Sequence, residues 1–414
     1  MNKKSQKHSL YAKVWLAISI FASTASVVRA ETSVWKGFLG DGSASGSEAP
    51  QQIDASEQGN IAWRIEIPGR SVAGPVVAGD VIFTTSSSGP EGRTLWLTGV
   101  SLNQGEVLFE HAIEVTGRPH HHPTGAGSAP TPVTNGECFV AFYSSNDLVC
   151  VEKDGRVRWI RALGLDHPKT GNDLGMSSSP VIIGDKVFVL GQSQGNAFVH
   201  SVDLKTGGDV WQVERPRVAN WASPLAVATK PPMLIVQGGD GVTSLNPETG
   251  ETFWSLDYPD STIPSPSTNG DVLMLPGSKL LAMDLKGYRP ETGKIPQELF
   301  EDRKLSTSNA SVALSSNRLY SLKSSILTAA DSRTGEVFWK ERLTGIKRSW
   351  ATPLVIDDQI YVCGSGGEIV VIKDDGDSAT VVSETELDGE ILGSPAVADG
   401  RLLVRATDSL VAFE

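Results

Sequence analysis

The chain has 414 residues, a formal net charge of −12 and three cysteines. An acidic chain without clustered Lys and Arg repels nucleic acid and anionic lipid, which argues against a role in binding either of them. Three cysteines are too few for a scaffold built from disulfides, which excludes that class of small secreted domain.

Residues 1–30 have the pattern of a secretory signal peptide. Four lysines precede an apolar run of fifteen residues from Val14 to Val28. Val28 and Ala30 stand at the −3 and −1 positions of a cleavage site after Ala30. The run is shorter than the roughly 20 residues that a membrane-spanning helix needs, and an uncleaved N-terminal anchor is the alternative.

Removal of residues 1–30 takes away five basic and no acidic residues, so the formal charge changes from −12 to −17. No later stretch is apolar enough to cross a membrane. The sequence therefore predicts a periplasmic or secreted protein with no transmembrane span after signal removal. Residues 31–60 contain Trp35, Phe38 and Gly40 near their start and continue as a polar stretch. We expect an extended segment against the outside or bottom of the main domain, residues 61–414.

A repeated signature organises residues 61–414. Each copy has a small residue, a proline, a few apolar residues, a tight polar turn and a β-rich run. Successive copies lie 42 to 57 residues apart, which is the length of one four-stranded propeller blade. The copies begin at Gly74-Pro75, Thr131-Pro132, Ser179-Pro180, Ser223-Pro224, Ser265-Pro266, Thr352-Pro353 and Ser394-Pro395, and a degraded copy at Ala310-Ser311-Val312 places Ser311 at the proline position.

Local chemistry explains each part of this repeat. Proline has no N–H to give to a β-ladder, so it suits the first residue of a strand. Turn sequences such as Asn135-Gly136 and Asp399-Gly400 tolerate the positive φ angles of two-residue hairpins. The apolar runs that follow these turns predict a second strand in each copy.

A second signature, Asp-x-x-Thr-Gly with an aromatic residue four positions after the glycine, joins the third and fourth strands. The constant spacing predicts that the ring fills the same slot between neighbouring blades, where burial of an indole contributes roughly 2–3 kcal/mol. The copies combine Asp203, Gly207 and Trp211, then Gly250 and Trp254, then Asp331, Gly335 and Trp339, while shorter copies end in Phe109 and Trp159.

Both signatures resemble the PQQ-like repeat, which is shared by quinoprotein dehydrogenases and many non-catalytic propellers. The resemblance covers nearly all of residues 61–414 and implies an all-β fold, an eight-bladed β-propeller of four-stranded antiparallel blades. Seven blades is the competing count, because the copy at 306–345 is weak and the first blade is long. Residues 61–67, which include Trp63, would supply the outer strand of the last blade and close the ring.

Cys138 and Cys150 flank a predicted hairpin that turns at residues 144–147. With that turn, position 138 lies opposite 153 and position 150 opposite 141, which places the two sulfur atoms on opposite faces of the sheet. We therefore expect Cys138, Cys150 and Cys363 to be unpaired thiols.

Two loops that lead into innermost strands have similar sequences. Each carries a tryptophan, Trp221 or Trp350, three residues before the proline of the strand. The indoles would form an aromatic platform at the channel mouth for a flat ligand or a sugar, and the alternative is that they fill gaps between inner strands. Asn220 and Arg348 lie on the same loops and belong to the candidate set.

Histidines occur in two neighbouring loops of the same kind, at His120–His122 and at His167. Imidazoles from the two loops would suit a transition metal. Adjacent histidines in a loop cannot all face one ion, however, so we assign no metal site and expect a solvated loop. His122 and His167 are retained as candidates for the ligand-binding face.

The resembling dehydrogenases hold PQQ in the channel with a calcium or lanthanide ion and use a carboxylate as base. No matching metal-binding set and no Cys-Cys pair is found here, so no catalytic residue and no cofactor are assigned. No nucleotide-binding loop or His-Glu-x-x-His motif is present either.

We expect a monomeric, non-catalytic propeller that binds a protein or glycan of the cell envelope. It would be similar in architecture to the outer membrane assembly factor of the same repeat class. The alternative is a small PQQ-dependent dehydrogenase with calcium that acts on alcohols or sugars.

Overall fold

The computed structural model describes residues 34–258 and 261–414. Within these ranges the chain is almost entirely β-structure, arranged as eight sheets. The predicted signal peptide, residues 1–30, lies outside the described residues. In the described part of the chain, no helix is both long and apolar enough to cross a membrane.

The strands are short and follow one another with few helical turns between them. In chain order the first nineteen are β1 (Val34–Trp35), β2 (Ser45–Gly46), β3 (Ile61–Glu66), β4 (Val76–Ala78), β5 (Val81–Ser88), β6 (Thr94–Ser101), β7 (Val107–Glu114), β8 (Val133–Thr134), β9 (Cys138–Phe142), β10 (Asp147–Glu152), β11 (Val157–Ala162), β12 (Val181–Ile183), β13 (Lys186–Gln192), β14 (Ala197–Asp203), β15 (Asp209–Glu214), β16 (Leu225–Val227), β17 (Met233–Gly238), β18 (Gly241–Leu245) and β19 (Thr252–Leu256).

The remaining strands are β20 (Ser267–Thr268), β21 (Val272–Pro276), β22 (Leu280–Asp284), β23 (Gln297–Asp302), β24 (Ala313–Ser315), β25 (Arg318–Lys323), β26 (Ile326–Asp331), β27 (Val337–Arg342), β28 (Leu354–Ile356), β29 (Gln359–Cys363), β30 (Glu368–Asp374), β31 (Ala379–Glu386), β32 (Ala396–Ala398), β33 (Arg401–Arg405) and β34 (Ser409–Phe413). A single α-helical turn, α1, spans Leu163–Asp166, and 3₁₀ turns span Pro90–Gly92, Pro290–Thr292 and Arg303–Leu305.

Eight antiparallel sheets of four strands form the blades, so the predicted eight-bladed propeller is confirmed and the seven-bladed count is wrong. We name the strands of a blade A to D, from the channel outwards. Blades 1 to 7 are β4–β7, β8–β11, β12–β15, β16–β19, β20–β23, β24–β27 and β28–β31, and blade 8 is β32, β33, β34 and β3. Because β3 precedes blade 1 in the sequence and pairs with β34, the two ends of the propeller chain share one sheet.

Turn residues set the hairpins within each blade. Between β32 and β33, Asp399 and Gly400 have φ angles of 50° and 72°. Both central residues of a type I′ turn need positive φ, and this turn matches the right-handed twist of the strands that it joins. Apolar side chains of the B and C strands then meet between blades, as in the stacked rings of Phe83 and Phe139, 4.8 Å apart.

In five blades the aromatic residue of the D strand contacts the turn of the next blade. The indole N–H of Trp159 donates to the carbonyl of Leu204 at 3.0 Å, and a Cβ atom at Gly207 would lie only 2.8 Å from that ring. Gly207 also has a φ of +72°, so this position requires glycine for two reasons. The same arrangement joins Trp63 to Leu102 and Gly105, Trp211 to Pro247 and Gly250, and Phe300 to Gly335.

Side-chain capping shapes the Asp-x-x-Thr-Gly turn itself. The Asp203 carboxylate accepts from the backbone N–H of Thr206 at 2.7 Å, and Asp331 accepts from Thr334 at 2.8 Å. Such local bonds stabilise the turn without help from the rest of the fold. Trp339 differs from the other repeat indoles, because its N–H donates to the buried Asp374 carboxylate at 2.9 Å, while Trp254 is buried in its own interblade core.

Residues 34–46, which we call the plug, run across the channel at the end where the A strands finish. Strand β1 pairs with β4 of blade 1, and β2 pairs with β28 of blade 7. Residues 50–60 continue on the outside of blade 7, where the N–H of Ile53 donates to Ser383 at 3.0 Å. Only this second part therefore lies on the outside of the ring, whereas the plug lies at the channel.

The register of β9 and β10 differs from the predicted one by one residue. Cys138 pairs with Glu152, and Cys150 pairs with Val140, because the turn is one residue tighter than expected. Side chains two residues apart on a strand share a face, so Cys138 and Cys150 lie on the same face and the prediction of opposite faces is wrong. All three cysteines are free and buried.

Candidate functional site

The loops from each D strand to the next A strand form one face of the propeller, together with the B–C turns. We call them the D–A loops. They carry all the candidate residues for ligand binding. Within the described part of the chain they comprise residues 67–75, 115–132, 163–180, 215–224, 257–258 with 261–266, 303–312, 343–353 and 387–395.

Side-chain hydroxyls join the ends of these loops around the channel. In blades 2 to 8, the hydroxyl just before the A strand accepts from the equivalent backbone N–H of the preceding blade, as Ser223 does from Ser179 at 2.9 Å. Seven such bonds follow one another from Gly74 to Ser394. In the weak copy, Ser311 supplies this hydroxyl and Val312 takes the proline position, so the predicted alignment of Ser311 with proline is wrong by one residue.

Trp221 connects three neighbouring loops. Its indole N–H donates to the carbonyl of Gly175 at 2.9 Å, and its backbone N–H donates to Thr262 at 2.8 Å. The ring is half-buried. This indole therefore occupies a gap between loops, which is the structural alternative considered for it.

Trp350 has a different environment, although its loop has a similar sequence. Its side chain is 40% exposed. The preceding Ser349 is buried and donates to the carbonyl of Cys363 at 2.8 Å, which holds the loop while the indole faces solvent. Arg348 is also exposed on this loop.

Asn220 belongs to a buried polar network beneath the loops of blades 3 and 4. Its amide donates to the side chain of Gln192 at 3.2 Å and to the carbonyl of Gln237 at 2.9 Å. Asn172 joins the network by donating to the carbonyls of Gln192 and Asn220. Sequence reasoning missed the two glutamines, Gln192 at the end of β13 and Gln237 one residue before the end of β17. The available signal was a polar residue after a run of buried apolar ones.

An almost fully buried ion pair lies beside this network. Arg215 donates to Asp240 at 2.6 Å, with the two side chains 6% and 13% exposed. Gln192 donates to the other carboxylate oxygen at 2.9 Å. Charge-assisted bonds of this kind are short and strong, so they fix the D–A loop before β16 to the B–C turn after β17. No local sequence pattern indicates this pair, because its members are 25 residues apart.

A second cation is buried under the loop face in blade 8. The guanidinium of Arg405 is at the end of β33 and donates to the carbonyls of Ala406 and Ser409. Burial lowers the pKa of Arg405 to about 9, because the charged form loses its hydration there.

The histidines of the two neighbouring loops contact different groups. His120 is within 2.7 Å of the carbonyl of Asp173, and His122 is within 2.7 Å of the Thr124 hydroxyl. His167 instead stacks on Phe198, with ring centroids 4.0 Å apart. Among residues 34–258 and 261–414, no three His, Cys, Asp or Glu side chains come together as metal ligands do.

Large apolar side chains are exposed on three of the D–A loops. Besides Trp350, these are Leu165 at 66%, Leu174 at 54% and Ile263 at 37% exposed. The backbone carbonyl of Leu174 accepts from His122, so its loop is tied to the neighbouring one. Exposed apolar groups on loops that hydrogen bonds hold in place are typical of protein-binding faces.

The comparisons with known proteins agree with the fold. A PQQ-like family model described as outer membrane protein assembly factor BamB matches residues 23–198, 195–374 and 323–414. The outer membrane protein assembly factor BamB of Shewanella oneidensis is 22% identical over 322 residues, which are 77% of this chain. The chain spans 65% of the length of that curated relative.

Two solved structures illustrate the range of similar propellers. The crystal structure of BamB from Moraxella catarrhalis superposes with a TM-score of 0.62 and 18% identity, over 86% of this chain and 97% of that chain. A quinohemoprotein alcohol dehydrogenase from Comamonas testosteroni superposes with a TM-score of 0.63 and 10% identity, over 92% and 80% of the two chains. At such identities these structures establish the shared fold alone.

Proposed function

The chain belongs to the PQQ-like family described as outer membrane protein assembly factor BamB, and we propose that it is a protein-binding scaffold in outer membrane protein assembly. The site of binding is the face of the D–A loops. A periplasmic location after cleavage of residues 1–30 and a monomeric state are parts of the same proposal.

One observation supports this choice of face above others. Leu174, Ile263 and Trp350 are exposed on loops that buried side chains hold in place. Protein interfaces are enriched in aromatic and large apolar anchors, with polar and charged groups such as Arg348 around them. Rigid loops lose little conformational entropy when they bind, so these anchors are suited to a stable contact. A protein partner explains them better than a glycan does.

Site-specific photo-crosslinking tests the proposal. A benzophenone amino acid at position 350 should yield a crosslink to a protein of the outer membrane assembly machinery in cells that express the chain. The matched control carries the same group at Leu108, which is exposed on β7, away from the loop face. The double variant Leu174→Ala, Trp350→Ala should reduce the crosslink from a third loop position, Ile263. Equal products from positions 350 and 108 would contradict the choice of face.

We also propose that the chain works without a quinone cofactor. The plug crosses the channel, and the lining of the space beside it is mostly apolar, with Asp41 as its single carboxylate in the described residues. Asp41 accepts from the hydroxyl of Ser43 at 2.6 Å, so it is already engaged. These residues do not fit a quinone-bound calcium ion, which needs several oxygen ligands. Titration with PQQ and calcium should therefore give neither a spectral change nor dye reduction with alcohols.

A further inference from the structure

The plug binds four of the eight A strands through one repeated hydrogen bond. Its backbone carbonyls at Lys36, Gly42, Ser43 and Ala44 accept from inner-strand N–H groups of blades 2, 5, 6 and 7, at 2.8 to 3.0 Å. The four donors occupy the same place in the repeat, two residues after the proline position. They are the backbone N–H groups of Thr134, Thr268, Leu314 and Val355.

In blades 3 and 4 the equivalent residues are Ile182 and Ala226. Alternate residues of an antiparallel strand direct their N–H and C=O groups away from the partner strand, and Leu314 shows that this position faces the channel. Among the described residues, no plug carbonyl accepts from Ile182 or Ala226. Each of them therefore directs a backbone donor into the channel without meeting the plug.

The exposure of these residues also differs between blades 3 and 4 and the blades that the plug covers. The four residues that donate to the plug are buried. The equivalent residue of blade 8, Val397, donates to no plug carbonyl among the described residues, but it is buried with its side chain close to Gly46 of the plug. Ile182 and Ala226 are only half-buried. All three residues of β12 are half-exposed, in contrast to the A strands of the blades that the plug covers. The plug therefore leaves one side of the channel open, at blades 3 and 4.

A cavity of about 400 Å³ occupies this open side. Plug residues 36–42 form one wall, and the inner strands of blades 2 to 4 form the other, together with the residues just before the inner strands of blades 3 to 5. Apolar groups such as Phe38, Val181 and Leu225 make up most of the lining. Its volume is within the range of pockets that bind ligands, about 300–1,000 Å³.

We propose that this cavity, which we call the lumen site, binds a short extended polypeptide segment from a partner protein. In four other blades, carbonyl groups of the plug backbone accept from the equivalent N–H donors. The carbonyl groups of a bound peptide would accept from the N–H groups of Ile182 and Ala226 in the same way. The apolar walls accept small apolar side chains of such a segment, as in strand addition to a sheet edge. The lumen site goes beyond the proposed scaffold function, because it lies inside the channel beside the plug and includes none of the exposed loop residues Leu174, Ile263 and Trp350.

Amide hydrogen exchange measured by NMR tests the lumen site in the full chain. In the free protein, the amides of Ile182 and Ala226 should exchange at least about tenfold faster than those of Thr134, Thr268, Leu314 and Val355. Addition of the capped peptide acetyl-Val-Thr-Val-Thr-amide at millimolar concentration should slow these two amides selectively. Equal exchange of all six amides in the free protein would overturn the proposal, and so would an absence of slowing by the peptide.

Two variants and one competing ligand sharpen the test. Ala226→Pro removes one channel-facing donor without removing a bond of the β-ladder, so peptide affinity should fall about fivefold. Ala226→Leu keeps the donor but narrows the cavity, and it should also weaken binding. If sodium acetate slows the exchange of both amides to the same extent as the peptide, the site binds small carboxylates. That result would overturn the polypeptide proposal.

The loop face supplies the independent control. Trp350→Ala should leave peptide protection at Ile182 and Ala226 unchanged, and Ala226→Pro should leave the crosslink from position 350 unchanged. Failure of the lumen site is therefore distinguishable from failure of the scaffold proposal, because each has its own readout.

Discussion

The side-chain hydroxyl of Thr131 accepts a hydrogen bond of 3.1 Å from the backbone N–H of Gly74, 57 residues earlier in the chain. The bond begins a series that continues through Ser179 and the later blades. The series stops between blades 8 and 1, where Gly74 has no hydroxyl and a Cβ atom would lie 2.5 Å from the carbonyl oxygen of Ser394. The two blades that close the ring thus approach each other more closely at this point than a side chain allows.

Loss of one hydroxyl from this series should destabilise the propeller. Ser311→Ala leaves the buried N–H of Ser265 without its acceptor, which lies at 2.9 Å, and should cost about 1–3 kcal/mol. Ser311→Thr is the matched control, because Thr131 and Thr352 play the same role in other blades. Urea denaturation measures both. Equal midpoints for the two variants would contradict the importance of the hydroxyl.

Asp374 is the acceptor that joins blades 6 and 7. Its carboxylate accepts from Arg318 at 2.9 Å, from the hydroxyl of Tyr320 at 2.7 Å and from the indole of Trp339 at 2.9 Å. Asp374→Ala leaves a partly buried cation and two buried donors without a partner, so the free energy of unfolding should fall by about 3–5 kcal/mol. The exposed Asp377→Ala should change it by less than about 0.5 kcal/mol. A small effect at position 374 would mean that water replaces the carboxylate.

Acid should destabilise the fold through His200. Its ring is within 2.8 Å of Asp209, but burial dominates and lowers the pKa of His200 below its ordinary value of 6.5. The unfolded chain therefore takes up a proton at a pH where the folded chain does not. The stability that depends on an uncharged His200 is fully present above pH 6.5. It is lost as the pH falls from 6.5 towards the lowered pKa of His200 in the folded state.

The urea midpoint should accordingly be lower at about pH 5.5 than at about pH 7.5. His200→Gln cannot be protonated, so the difference between the two midpoints should shrink in this variant. If the variant retains the whole pH dependence, another group is responsible for it.

The three thiols should react only after unfolding. Burial raises the pKa of Cys363 to about 12, so almost none of it is a thiolate at neutral pH. Cys138 and Cys150 are also buried. Ellman's reagent should detect no thiol in the native protein and three in guanidinium chloride. Rapid reaction of the native protein would show that the β9–β10 hairpin opens locally.

The two similar tryptophans should differ in their contribution to stability. Trp221→Phe removes the donor to Gly175 and should cost about 1 kcal/mol. Trp350→Phe alters an exposed ring, so its free energy of unfolding should stay within about 0.5 kcal/mol of that of the parent protein. Thermal unfolding of both variants measures the difference. A larger loss at position 350 would mean that its indole supports the loops rather than a partner.

Sequence reasoning predicted the propeller well because its repeat follows local rules. Proline at a strand start, positive φ at Asp399 and Gly400 and the capped turn at Asp331 depend on neighbouring residues in the chain. Their recurrence predicted eight blades, and the spacing from glycine to tryptophan predicted a recurring slot for the aromatic ring. The predicted register of Cys138 and Cys150 was wrong, because a difference of one residue in the length of a turn changes the sheet face of every side chain that follows.

Relationships between distant residues were decided by tertiary structure alone. Trp221 and Trp350 occur in nearly the same local sequence, yet one is bonded to a neighbouring loop and the other faces solvent. The buried pair of Arg215 and Asp240 and the series of hydroxyls join residues from different blades or loops, for which the sequence has no local signal. The blade and its repetition therefore follow from local sequence patterns, because turns and strands depend on short-range chemistry. Only the closed ring decided which loop groups are exposed and which side of the channel the plug leaves open, because those depend on where the chain returns in space.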